Sequence, residues 1–289
     1  MSAPSYPDIL RFGSDLDLFK LEFDRRTGPY SMNSNHYHFQ YEVFYLFQGE
    51  RNYFVKDTAY QIRPGDLVMV DSNALHKTSE SGKPNHERIV VYYSPGFFAA
   101  LQPDERELLL APFTRHSPVI RLNLQEQLQV EQMLMSMLDE MKEQAPGHAL
   151  QLQSVTAELL IYIARTVQKR GIQPDDPASP SQRKVTEIVR HINRHYGEPL
   201  QLDDIAAAFY ISKSHLSRSF KKVTGFGFTE YVNLIRVREA ERLLRENGWS
   251  VTLIAEHCGF DSLTHFGKVF KSISGMPPRD YRKLHSSGS

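Results

Sequence analysis

At 289 residues and 40% hydrophobic content, the chain is long enough to bury more than one core, so two domains are the expectation. Its 34 Lys/Arg balance 34 Asp/Glu, and its single cysteine, Cys258, excludes an intrachain disulfide framework and a multi-thiolate zinc site. The opening "MSAPSYPDILRFGSD" has neither a basic nor an apolar signal region, and no apolar run approaches roughly 18 residues, so the expectation is a soluble cytoplasmic protein.

Residues 18 to 94 contain short β-branched and aromatic runs, "YEVFYLF", "RNYFV", "DLVMV" and "RIVVYY", parted by the turn clusters "RPGD" and "ESGKPN". This spacing predicts an all-β barrel or sandwich. Within it, "NHYHFQYEVFYLFQG" sets His36, His38, Glu42 and Gly49 in an aromatic run. A single strand over 36–42 would place His36, His38 and Glu42 on one face. Imidazole and carboxylate together suit iron, manganese, nickel or zinc, and serve equally as hydrogen-bonding groups for a polar ligand.

From Gln125 to Lys142 and from His148 to Arg170 apolar residues recur at helical spacing, as in Leu124, Leu128, Met135, Leu138 and Met141, with "APG" between. The pair reads either as a dimer interface or as a lid on the barrel. The stretch "GIQPDDPASPSQ" is rich in proline and reads as a linker over 172–181. The charge is also divided there. Residues 1–180 hold 17 Lys/Arg against 23 Asp/Glu, net −6, and residues 181–289 hold 17 against 11, net +6, so the second part is the candidate for a polyanion.

From Gln182 onward the pattern is helical and repeats itself: "DDIAAAFYISKSHLSRSFKKVTG" against "TLIAEHCGFDSLTHFGKVFKSISG". The Ile-Ala pairs at 205 and 254 lie 49 apart, whereas Phe220 and Phe270 lie 50 apart, so one extra residue sits in the second turn. Units at about 202–225 and 250–275 have the size of helix-turn-helix motifs, whose second helix can enter a major groove. Leu216, Phe220 and Val223, and then Phe266, Phe270 and Ile273, form apolar stripes. Ser214, Ser217, Arg218 and Lys221, and then Thr264, His265, Lys268 and Lys271, fall outside them. Short polar donors around long cations suit base edges and phosphates. Between the units, "FTEYVNLIRVREAERLLREN" predicts a helix of roughly 30 Å, close to one DNA turn.

On these segments, together with "IAEHCGF" and "FGKVFKSISGMPPRDYR", residues 182–285 resemble the DNA-binding domain of AraC/XylS-type transcription regulators. The resemblance implies base contacts from Ser214, Ser217 and Arg218 and from Thr264, His265 and Lys268, with Ser212, Lys213, Lys221, Ser262 and Lys271 completing the candidate DNA-binding set. Lys268 stands where arginine is frequent in the family, beside a flexible Gly267, which implies weaker reading by the second helix. Residues 15–95 resemble the cupin-like effector domain of many such regulators. His36, His38, Glu42 and Gly49 follow the first cupin motif, and "RPGDLVMVDSNALH" follows the second, ending in His76. In metal cupins this resemblance makes His36, His38, Glu42 and His76 ligands; in sensors the same positions, with Phe44, line a pocket for a sugar or other small polar effector.

The expected architecture is multidomain: an N-terminal all-β cupin-like sensing barrel (1–120), a helical pair for dimerisation (121–171), a linker (172–181), and an all-α DNA-binding domain (182–289) with two helix-turn-helix units joined by one helix. The expected partners are double-stranded DNA, a small-molecule effector and a second copy of the chain; RNA polymerase is a further candidate, and no membrane is involved. No cofactor is expected. The alternative is a metal-dependent cupin enzyme or metal sensor with a helical appendage. A nonspecific architectural DNA binder is a third reading, against which stands the large acidic N-terminal part.

Overall fold

The computed structural model describes residues 6–30, 37–82, 84–170 and 179–285. Two compact units result, one made chiefly of residues before 178 and one chiefly of residues from 178 on. In the first, nine strands run in chain order: β1 (Ile9–Phe12), β2 (Phe19–Arg26), β3 (Tyr41–Gln48), β4 (Arg51–Val55), β5 (Thr58–Ile62), β6 (Asp66–Val70), β7 (His76–Glu80), β8 (His86–Tyr93) and β9 (Val119–Arg121). Helices α1 (Pro95–Ala99) and α2 (Pro103–Leu110) precede β9, and α3 (Leu124–Glu143) and α4 (His148–Arg170) follow it. The strands form one sheet ordered β1-β2-β8-β3-β6-β9 and another ordered β5-β4-β7.

The larger sheet buries both faces, and the period-two alternation of its strands decides what each face meets. Phe44, Leu46, Val68, Val70, Val90 and Tyr92 point toward Tyr53, Val55 and Ile62 of the smaller sheet and form the interior of an open barrel, whose two sheets are not hydrogen-bonded into one. Their neighbours Val43, Tyr45, Leu67, Met69, Ile89, Val91 and Tyr93 pack outward against α3 and α4. The inward stripe of α3 is Val130, Leu134, Met137, Leu138 and Met141. Leu124 and Leu128, which the periodicity groups with Leu138 and Met141, are 69% and 52% exposed. They lie on a second stripe of α3, whereas the half-buried Met135 packs against the core. Gly49 closes the β3–β4 hairpin at φ 92°, where a Cβ would stand 2.4 Å from the Asn85 carbonyl oxygen, so a side chain is excluded by both torsion and space.

The second unit is helical: α5 (Pro180–His195), α6 (Leu202–Ala208), α7 (Lys213–Thr224), α8 (Phe228–Glu246), α9 (Val251–His257), α10 (Leu263–Ser274) and α11 (Pro278–His285). The segment read as linker lies outside the described residues over 172–178, and its last residues belong to α5. Ser179 Oγ accepts from the Gln182 N–H and Pro180 occupies the first turn, where its missing N–H costs nothing. The chain passes from α6 to α7 through four residues and from α9 to α10 through five, which is the extra residue expected in the second turn. Phe266, Phe270, Cys258 and Phe260 pack with Val237, Ala240 and Leu244 of α8. Burial pushes the Cys258 thiol up to about 12. No helix of the described residues is long and apolar enough to cross a membrane.

Candidate ligand pocket and nucleic-acid interface

The barrel interior is apolar at its centre and polar elsewhere. Glu42, buried on β3, lies opposite Val70 of β6 and Tyr92 of β8. The Tyr53 hydroxyl donates to Glu42 Oε1 at 2.5 Å, and the Nε2 atoms of His38 and His76 each lie 3.3 Å from Oε2. Burial by itself would raise the Glu42 carboxyl; His76 and His38 outweigh it and hold the group well below the usual carboxylate range. Burial and the charge of Glu42 keep the Tyr53 and Tyr92 phenols protonated, and thus able to donate.

Strand β3 begins at Tyr41, so residues 37–40 are not part of it: His38 lies in the irregular segment before the strand and reaches Glu42 from there. His36 lies outside the described residues. Phe44 is a core residue, buried edge-on against Tyr53 with ring centroids 5.1 Å apart. Of the four sequence candidates for a metal, the structure brings His38, Glu42 and His76 together, with potential ligand atoms within 4.8 Å of one another. Nδ1 of His38 lies 3.0 Å from the Gln40 carbonyl and Nδ1 of His76 lies 2.8 Å from that of Ala74. A carbonyl only accepts, so both rings carry a proton on Nδ1 and turn Nε2 toward Glu42. With Nδ1 so engaged, Nε2 of each ring is the atom that would face a metal beside the carboxylate, and two imidazoles with one carboxylate are a donor set that fits a divalent transition metal.

Beside this cluster opens a cleft of about 570 Å³, within the usual range for small-molecule sites. Lys20, Glu22, Asp24 and Arg26 of β2 line it, with Arg88 and Tyr92 of β8, Arg11, Tyr30 and Gln40. Asp24 is fully buried and accepts from Arg11, Arg26 and Arg88 at 2.9, 3.2 and 2.8 Å. Burial would raise its carboxyl, but Arg88, Arg11 and Arg26 hold it down. Lys20 Nζ lies 4.3 Å from the centre of the Tyr92 ring. None of these charged residues stands out in sequence reasoning that turns apolar faces inward. The signal was present in "FKLEFDRR": Phe19, Leu21 and Phe23 alternate with Lys20, Glu22, Asp24 and Arg26, and the charged set is the one that faces the cleft.

In the helical unit each motif buries the predicted stripe. Leu216 and Phe220 of α7, and Phe266 and Phe270 of α10, are fully buried, and Val223 and Ile273 are partly so. Ser214, Ser217, Arg218 and Lys221 are exposed on α7, and Thr264, His265, Lys268 and Lys271 on α10. Ser212 and Ser262 are N-caps, their Oγ atoms accepting from the His215 and His265 N–H groups at 3.3 and 3.4 Å. Lys213 donates to Asp203 of α6 at 2.8 Å, and Arg218 Nε donates to the Ser214 carbonyl at 3.2 Å. Helix α8, which joins the motifs, has 19 residues and is about 28 Å long.

A family model described as an AraC-like ligand binding domain matches residues 23–160, and one described as a helix-turn-helix domain matches residues 205–284. The uncharacterized HTH-type transcriptional regulator YfiF of Bacillus subtilis strain 168 is 29% identical over 262 residues, 86% of this chain and 79% of its own length. The HTH-type transcriptional activator RhaS of Enterobacter sp. strain 638 is 25% identical over 256 residues, covering 88% of this chain and 89% of its own. A solved transcriptional regulator with an AraC-type DNA-binding domain, from Chromobacterium violaceum, is 32% identical over 38% of this chain and 97% of its own, with a TM-score of 0.35. The chain belongs to the AraC/XylS family: it is a DNA-binding transcription regulator with an N-terminal ligand-binding domain.

Proposed function

We propose that α7 and α10 read successive major grooves of a promoter site and that a small polar molecule, such as a sugar, in the barrel controls this reading from within a cytoplasmic homodimer. The observation that carries the first part is the pair of exposed helix faces on opposite ends of α8, each a set of short donors around a long cation. Arg218 and Lys268 are the base readers, Ser214, Ser217, Thr264 and His265 adjust register, and Lys221 and Lys271 hold phosphates. Lys213, already paired with Asp203, and the capping residues Ser212 and Ser262 orient the helix N-termini toward the backbone. Transcriptional output is delivered through contact with RNA polymerase. The exposed Leu124 and Leu128 on α3 support self-association, since they are left uncovered.

A mobility shift of a duplex selected from random sequence by the full chain tests the DNA reading; retention of full affinity and preference in a variant carrying both Arg218→Ala and Lys268→Ala would sink it. A second reading, a metal-responsive sensor, is favoured by the Nδ1–H geometry of His38 and His76. Elemental analysis of protein purified without chelator decides between them: near-stoichiometric transition metal that His76→Ala abolishes selects the metal, and metal-free protein selects the organic effector.

A further inference from the structure

At one end of the barrel the buried positive charge exceeds what the local carboxylates neutralise. Arg51, on β4, is 1% exposed and makes no ion pair among the described residues. Its Nη2 donates to the Tyr30 carbonyl at 2.7 Å, and its Nη1 is buried without a hydrogen-bond partner. Glu80, its cross-strand neighbour on β7, attracts it only through space. Asp24 already serves three guanidiniums, and Nε of Arg26 remains buried and unpartnered. His86 is 3% exposed with neither ring nitrogen hydrogen-bonded; the Pro84 carbonyl exerts a pull on the ring without closing a bond.

These groups surround one side chain. The Tyr30 ring lies 4.3 Å from the Arg26 guanidinium, 5.9 Å from that of Arg51 and 5.9 Å from the His86 ring. A cation–π contact returns less than a buried guanidinium loses on leaving water, so the ring does not balance the charge. The crowding is visible in the titrating groups: burial and Arg88 bring Arg51 down to about 10, and burial, Arg51 and Arg88 bring His86 down to about 4. Buried, unsatisfied donors of one sign require an explanation, and the planar guanidinium fork matches a carboxylate or phosphate. Arg26, Tyr30 and Arg88 also line the cleft, which connects the cluster to the space for a ligand.

We propose that the effector is a small polar acid whose carboxylate or phosphate seats among Arg26, Arg51 and His86, with its uncharged remainder in the cleft beside Glu22 and Tyr92. A neutral sugar would leave the Arg51 and Arg26 donors unanswered. This assignment rests on the sensing role of the barrel proposed above.

Titration calorimetry of the full chain with inorganic phosphate, acetate and glucuronate, at constant ionic strength set by chloride and with glucose as neutral control, tests it. Saturable binding of at least one anion and none of glucose is the expected result; phosphate against the two carboxylates identifies the group. Arg51→Met and Arg26→Met should each weaken that binding at least tenfold, and Arg26, being partly exposed, remains informative if Arg51→Met does not fold. Absence of saturable binding by all three anions, or glucose binding as well as glucuronate, overturns the proposal, as do two folded variants that both bind anions normally. A mobility shift with the same preparation keeps the readings apart: a normal shift without anion binding removes the acidic effector and leaves the DNA-binding regulator standing.

Discussion

Tyr210 and Gly259 hold the same place in the two repeats, and only one of them suits it. Both follow a short helix in left-handed backbone, at φ 56° and 79°. The next N–H in each case reaches back to the same helix position, Ile211 to Ala206 and Phe260 to Ala255, both at 3.0 Å. Tyr210 is 95% exposed, so packing offsets none of the strain on its Cβ. Tyr210→Gly should raise stability by about 0.5–1 kcal/mol, relief of strain outweighing the added chain entropy. Gly259→Ala should lower it by about 2 kcal/mol, because its Cβ would meet the Tyr196 carbonyl oxygen at 2.7 Å. Urea midpoints of the two variants check both signs. A second residue-scale expectation concerns His86. Folded, it stays neutral down to about pH 4, whereas in the unfolded chain it takes up a proton near 6.5, so stability falls as pH drops through that window. His86→Gln should flatten this part of the pH–stability profile; an unchanged slope in urea unfolding between pH 6.5 and 4 would show that the imidazole is hydrated in the native state.

Among the elements, α7 and α10 could be read residue by residue because each has one buried and one solvated face, and a period of 3.6 sorts the two without knowledge of neighbours. That legibility makes sharp expectations possible. Arg218→Ala should cost about 1–3 kcal/mol of affinity and relax preference at one base pair, whereas Lys221→Ala should weaken all duplexes alike and reduce the salt slope by about one. Competition shifts with single-base variants of the selected site, run at several salt concentrations, separate the two behaviours. Strand β2 was less legible. Its alternation was visible, but periodicity alone does not say which alternate set faces inward, and α3 and α4 take the apolar one. The same covering explains why Leu124 and Leu128 do not join the stripe of α3 that meets the sheet: that stripe is set by Val130, Leu134 and Met137, a different phase of the same helix.

For the molecule as a whole, the 19-residue α8 that joins the two motifs is about 28 Å long, close to the rise of one turn of DNA. Two half-sites about 10 base pairs apart are therefore expected in the selected duplex. Inserting about 5 base pairs between them should reduce affinity to that of one half-site, since it turns the second groove to the far side of the DNA. Footprinting on both duplexes measures this, and protection of both half-sites despite the insertion would mean that the helices are not rigidly joined. Sedimentation of the full chain with and without Leu128→Glu addresses self-association in the same way: conversion of dimer to monomer is expected if the outer stripe of α3 is the contact.

The sequence by itself determined the division into a β-rich and a helical part, the two helix-turn-helix units with their unequal turns, and the buried and outward residues of each second helix. These follow from local periodicity, turn chemistry and the offset between repeats, which need no long-range information. It also marked His38, Glu42 and His76, whose chemistry is conspicuous in any context. Tertiary structure alone decided that His38 reaches Glu42 from the segment before β3 and not from a strand, and that Asp24, Arg26, Arg51, His86 and Arg88 come within reach of one another. Those polar groups come from strands distant in the chain, and only the packing of the two sheets, with helices covering the outer face, brings them together out of water.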